Sequence, residues 1–183
     1  MAHYPGSMHI TPVFRIRSWC LPATLLAIAA LSACGSNPPK PGPRASTQNY
    51  SPVRPADPAA ASSVLMRALG LVGTPYRYGG NTPESGFDCS GLVTYVYRDM
   101  LALNLPRTSR ELAAVQGPKI APERLAAGDL VFFGKRGNVW HVGIYVGEGR
   151  FVHAPSTGGT VRLDSLDGAY WRDHYSGAKR VLH

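Results

Sequence analysis

Cysteine is scarce in this chain: Cys20, Cys34 and Cys89 are the only three among 183 residues, and Cys89 alone lies in the globular part. An internal disulfide is therefore excluded there, and an exported protein keeps an unpaired thiol only for a reason. Paired ligand motifs such as CxxC or HExxH are also missing, which argues against a zinc site built from Cys89 and the histidines. Charged residues make up only 16%, and the net +8 contains no run of five or six like charges. A basic chain can bind nucleic acid, anionic lipid or an acidic polymer. Without a basic block or an aromatic-basic signature, nucleic acid is the weakest of the three. No apolar run reaches the roughly 20 residues that a spanning helix needs.

The longest apolar run, Leu21 to Leu31, follows Arg15 and Arg17 and reads as the core of an export leader. Met8 offers a second start that leaves a more usual leader length. The run ends Leu31-Ser32-Ala33-Cys34-Gly35, which resembles a bacterial lipobox, cut before the cysteine that then carries lipid. Several acyl chains on Cys34 would anchor the chain stably, each buried methylene contributing about 0.8 kcal/mol. Gly35, by resemblance to known lipoproteins, points to the outer membrane, with the protein facing the periplasm. The expected organisation is a leader over 1–33, a lipidated cysteine and proline-rich tether over 34–58, and one domain over 59–183.

Apolar periodicity predicts a helix from Ala59 to Leu71 and another from Cys89, through Leu92, Val93, Val96 and Met100, to about Leu103. Asp88 stands where the second helix needs an N-cap, so Cys89 falls in its first turn. Unpaired N–H groups and the helix dipole favour a thiolate there, the form that attacks. Thr108 or Ser109 caps a short helix through Val115. Strands follow at Asp129–Phe133, Val139–Val146, Arg150–Ala154, Thr160–Leu163 and Lys179–Leu182. Helices first and strands after predict an α+β domain with an antiparallel sheet.

A nucleophilic thiolate wants an imidazole to move protons and a third group to orient it. His141 and His153 flank a hairpin that turns at Gly147-Glu148-Gly149. A three-residue loop sets Gly143 opposite His153 and puts both histidines on one face, as diagonal neighbours roughly 7–8 Å apart. A two-residue loop would flip His153 to the other face unless a bulge restored it. Val142, Ile144 and Val146 then point to the core. His174, among Tyr170, Trp171 and Tyr175, reads as packing or rim. Asp88 reads as a cap, and Asp129 as turn chemistry. Arg77, Arg98, Arg107 and Arg110 read as solvated-face residues.

The segments Gly73–Gly80, Phe87-Asp-Cys89-Ser-Gly-Leu-Val, Gly128–Phe133, His141-Val-Gly-Ile-Tyr-Val-Gly147 and Phe151-Val-His153-Ala resemble, in order, the NlpC family of bacterial cell-wall cysteine peptidases. The tail Ala169–Tyr175 with Lys179–Leu182 is similar to that family's lipoprotein murein endopeptidases. The resemblance implies a papain-like core with Cys89 as nucleophile and His141 as base and then acid. It makes His153 the residue that orients His141, and Tyr76 an oxyanion or substrate contact. It implies a thiolate–imidazolium pair, with neither metal nor cofactor. The partners would be peptidoglycan stem peptides, and the bond cut would be D-alanyl–diaminopimelate. Transfer of the acyl group to an amine, or non-catalytic peptidoglycan binding, are the alternative readings. Nothing in the sequence bears on oligomeric state.

Overall fold

The computed structural model describes residues 48–156 and 159–183. The leader, Cys34 and most of the expected tether lie outside them. From residue 48 onward the chain already lies against the domain. Tyr50 packs on Tyr145 with ring centroids 6.4 Å apart, its hydroxyl reaches Asp167 Oδ1 at 3.3 Å, and Val53 bridges to Ala126.

Asp57 caps α1 (Pro58–Gly70), accepting from the amides of Ala59 and Ala60. A two-stranded ribbon, β1 (Asn81–Thr82) and β2 (Gly86–Phe87), leads into α2 (Cys89–Leu101), which ends at Ala102 in the left-handed conformation. Thr108 and Glu111 close a capping box on α3 (Ser109–Ala114). The chain then forms β3 (Leu130–Lys135), β4 (Asn138–Gly147), β5 (Arg150–His153) and β6 (Arg162–Ser165). A short helix, α4 (Ala169–His174), runs into β7 (Tyr175–Lys179). The expected strands at 160–163 and 179–182 are thus displaced: β6 begins two residues later, β7 lies mostly upstream, and α4 occupies a stretch that carries no long apolar period.

The large sheet is antiparallel in the order β6-β5-β4-β3-β7. Leu130, Phe132, Val142, Ile144 and Val152 bury one face against Val64 and Ala68 of α1 and Leu92, Val93 and Val96 of α2. Val131, Phe133, Tyr145 and Phe151 fill the other face, closed by Leu166, Trp171 and Tyr175. Burial on both faces is why β3 reads as an unbroken apolar run and not as an alternation.

The hairpin that carries the two histidines has a two-residue turn, Glu148 and Gly149, both at positive φ. Ile144 pairs with Val152 and Tyr145 with Phe151, but Gly147 pairs with Arg150, so a bulge at Val146 restores the register the short loop would otherwise lose. His141 and His153 therefore share a face. Gly143 lies between them, where a Cβ would stand 2.6 Å from the Phe151 ring and 3.3 Å from the His153 Cβ.

Gly91 fixes the other half of the geometry. A Cβ there would meet the Gly80 carbonyl oxygen at 2.0 Å, so only glycine lets the first turn of α2 lie against the 77–80 loop. Gly91→Ala is expected to cost about 1–3 kcal/mol, read as a loss of several degrees in the thermal midpoint. An unchanged midpoint by circular dichroism would show the approach to be elastic.

Candidate active site

Asp88 holds the start of α2. Its Oδ1 accepts from the Gly91 amide at 2.7 Å and from the Ser90 hydroxyl at 3.2 Å, and its Oδ2 accepts from the Gly79 amide at 2.9 Å. Arg107 grips the same carboxylate with both Nη atoms, at 2.9 and 2.7 Å, and also donates to Ser90 Oγ and the Gly80 carbonyl. Burial alone would raise the Asp88 pKa, but Arg107 and the Gly91 amide hold it below its usual value. Arg107, expected on a solvated face, is thus part of the site wall. Forked recognition of a carboxylate by guanidinium is what tertiary contact adds and a lone Arg in sequence does not announce.

Cys89 is a free thiol at the first position of α2. It opens onto a cleft of about 460 Å³ with Tyr76, Asp88, Arg107 and Trp140 on its walls. Tyr76 is held there by its bridge to Phe87, and burial followed by the neighbouring Cys89 raises its pKa. The Val142 backbone N–H lies close enough to the Cys89 sulfur to favour its thiolate. Val142 directly follows His141, so the strand that bears the imidazole runs past the thiol.

His141 and His153 meet directly, Nε2 of the first to Nδ1 of the second at 2.9 Å, with ring planes at 89°. His153 Nε2 lies 3.1 Å from Asp164 Oδ2, and that oxygen also accepts from Trp171 Nε1 at 2.8 Å and from Arg162. A carboxylate only accepts, so the proton between them belongs to His153 Nε2. Neutral His153 then offers a bare Nδ1, which accepts a hydrogen bond from His141 Nε2–H. His141 is left with a bare Nδ1, on the side of the ring nearest the backbone. Two imidazoles bonded in series do not converge on one point, as ligands of a zinc ion must. Trp171 closes the array from α4, stacked on His141 at 5.2 Å and edge-on to His153 at 4.8 Å.

Asp164 was not singled out in the sequence. It stands diagonal to His153 across the β5–β6 ladder, in which His153 pairs with Arg162 and Phe151 with Asp164. Alternating Arg162 and Asp164 in a short strand was the available signal, but it acquires meaning only once that ladder's register is known. Asp129, expected as a turn residue, is buried and takes both Nε and Nη2 of Arg180 at 2.8 Å. It braces the start of β3 rather than the chemistry. His174 lies at the rim, against the rings of Trp140 and Tyr170.

Burial pushes the Cys89 thiol up, and Asp88 adds to it; the amides of Val142, Ser90 and Cys89 oppose without overcoming. Burial, then His153, pushes His141 down to about 3, and burial pushes His153 down to about 4. Burial therefore works against the expected resting thiolate and favours a neutral thiol and a neutral imidazole. The dipole and first-turn amides are outweighed by desolvation of charge.

A pH dependence follows. As a general base His141 would work only when neutral, and with its pKa depressed it would stay available as pH falls well below the ordinary histidine value of about 6.5. Activity is expected to hold to about pH 5 and fall only below it. Alkylation of Cys89 by iodoacetamide should accelerate through and beyond about pH 8.5, the ordinary thiol value. An acid limb near 6.5 together with an alkylation plateau near neutrality would instead indicate a resting ion pair.

The profile of the NlpC/P60 family matches residues 73–180. Murein DD-endopeptidase MepH of Escherichia coli (strain K12) is 43% identical over 126 residues, covering 67% of this chain and 46% of the relative. Gamma-DL-glutamyl hydrolase of Bacillus subtilis (strain 168) is 42% identical over 128 residues, covering 68% and 30%. The chain thus spans less than half the length of both. A crystal structure of an NlpC/P60 family protein from Bacillus cereus ATCC 10987 superposes with a TM-score of 0.63 at 31% identity, over 67% of this chain and 40% of that one.

Proposed function

This chain belongs to the NlpC/P60 family, and on that premise we propose that it is a cysteine-type peptidoglycan endopeptidase. The observation that carries the reading is the ordered relay from Asp164 through His153 to His141, which leaves a bare ring nitrogen on the residue directly before Val142, whose amide lies by the Cys89 sulfur. A binding module has no use for a tautomer set by two hydrogen bonds in series. The Cys89 sulfur attacks an amide carbonyl carbon as its proton passes to His141 Nδ1. The tetrahedral oxyanion forms next to the first-turn amides of α2 and Tyr76, each donor contributing a few kcal/mol to its stabilisation. The carbon–nitrogen bond then breaks as His141 returns the proton to the departing amine. Water, deprotonated by His141, releases the thioester as a free acid and restores the thiol.

The bond is the D-alanyl–diaminopimelate cross-link, and the chain works from a lipid anchor on Cys34 at the outer membrane, facing the periplasm. MepH is named a murein DD-endopeptidase and the Bacillus relative a gamma-DL-glutamyl hydrolase, at nearly equal identity, so likeness does not choose the bond. Mass spectrometry of fragments released from purified sacculi does. Monomers arising from dimers, with stems intact, are the expected products. Stems cut after D-glutamate would move the assignment to the other bond, and no release at all would overturn the enzyme.

A further inference from the structure

A second pocket, of about 280 Å³, is walled by His141 with Trp140, Arg162, Tyr170 and Trp171. Its volume is close to the roughly 300 Å³ at which small-ligand sites begin, enough for a single residue. Trp140 belongs to both this pocket and the Cys89 cleft. We propose that this pocket receives the residue on the amine side of the cleaved amide, and that Arg162 binds a free carboxylate on the carbon bearing the amide nitrogen. The proposal rests on the hydrolase reading above.

Geometry assigns the two sides. The carbonyl carbon must bond to the Cys89 sulfur and the nitrogen must take its proton from His141. The acyl half of the substrate therefore runs into the cleft that holds Cys89, and the amine half crosses Trp140 into the pocket that His141 helps to wall. Charge sorts the same way. In the Cys89 cleft the Asp88 carboxylate is already matched by Arg107. In the second pocket the ionised wall group is Arg162, directly across the ladder from His153, with its side chain 52% exposed. Among the described residues it uses Nε and one Nη, both on Asp164, and Asp164 is further occupied by His153 and Trp171. The remaining guanidinium donors suit a carboxylate in a forked arrangement. Trp140, Tyr170 and Trp171 stand beside it as the apolar part of the wall.

The chemistry of such a carboxylate is selective. Within a stem, the carboxyl of the amine-side residue is tied up in the next amide. It is free only at a chain end or at the second centre of a diamino acid through which stems are cross-linked. Arg162 thus favours cross-links and chain-terminal residues over cuts inside a stem, which gives the proposed bond a physical cause.

The test uses two synthetic muropeptide dimers that differ only in carrying a carboxylate or a carboxamide at that diaminopimelate centre. Binding is measured by calorimetry to the full chain with Cys89→Ala, and kcat/KM is measured with the parent. The free acid is expected to bind about tenfold or more tightly than the amide. Arg162→Gln should bring the ratio towards one and Arg162→Lys should restore part of it. Equal binding of the two dimers, no binding of either, or an unchanged ratio in Arg162→Gln would overturn the proposal. In the last case Arg162 acts only by steadying Asp164. Selective binding without turnover by the parent would uphold the pocket while refuting the hydrolase reading.

Discussion

Cys89→Ala should lower fragment release from sacculi by about 10⁴-fold or more while shifting stability by no more than about 1 kcal/mol. The two effects separate because the sulfur is not what holds α2 in place. The helix start is fixed by the Asp88 cap, by the Arg107 fork on it and by the Gly91–Gly80 approach. Cys89 is only partly buried and packs at the border of the core. Removing it deletes the atom that bonds to carbon, for which no neighbour substitutes: the Ser90 hydroxyl is engaged by Asp88 and Arg107. Release from sacculi and a thermal melt on the same preparation decide the matter. Residual turnover above one hundredth of the parent's would remove Cys89 from the role of nucleophile.

His141→Ala is expected to cost about 10³-fold or more in turnover and, unlike the cysteine change, about 2–4 kcal/mol in stability. The ring fills space between Phe133 and Trp171, and its loss leaves a buried His153 Nδ1 without its partner. Combining it with Cys89→Ala should lower activity no further than either alone, because sulfur and base act in one step. The acid sensitivity of the fold should change as well. Both histidines have pKa values depressed by burial, so below about pH 6.5 the unfolded chain binds protons that the folded chain refuses. The parent's stability is therefore present above that value and drains away as pH falls from about 6.5 towards 3. Without His141 one of the two refused protons disappears, and the loss of stability per pH unit becomes shallower. Equal slopes in denaturant titrations at pH 7, 6 and 5 would mean that the ring is not held neutral by the fold.

Local order determined much of this protein. The apolar spacing after Cys89, the cap at Asp88, the box at Thr108 and Glu111, and the alternation along β4 are short-range signals, and each element lies close to where those signals place it. The pairing of His141 with His153 was legible because hairpin register obeys counting, and the bulge at Val146 met the one condition under which a two-residue turn keeps them together. The tertiary structure decided what counting along the chain does not reach. Asp164 joins His153 only through the β5–β6 ladder, Arg107 reaches Asp88 from a loop 19 residues away, and Trp171 arrives on a helix too short to have a period. Above all it sets how far burial opposes charge at the thiol and the rings. A helix dipole and free amides are local and favour a thiolate, but the desolvation that opposes them is summed over everything packed around the sulfur and the rings. No window of sequence contains that sum.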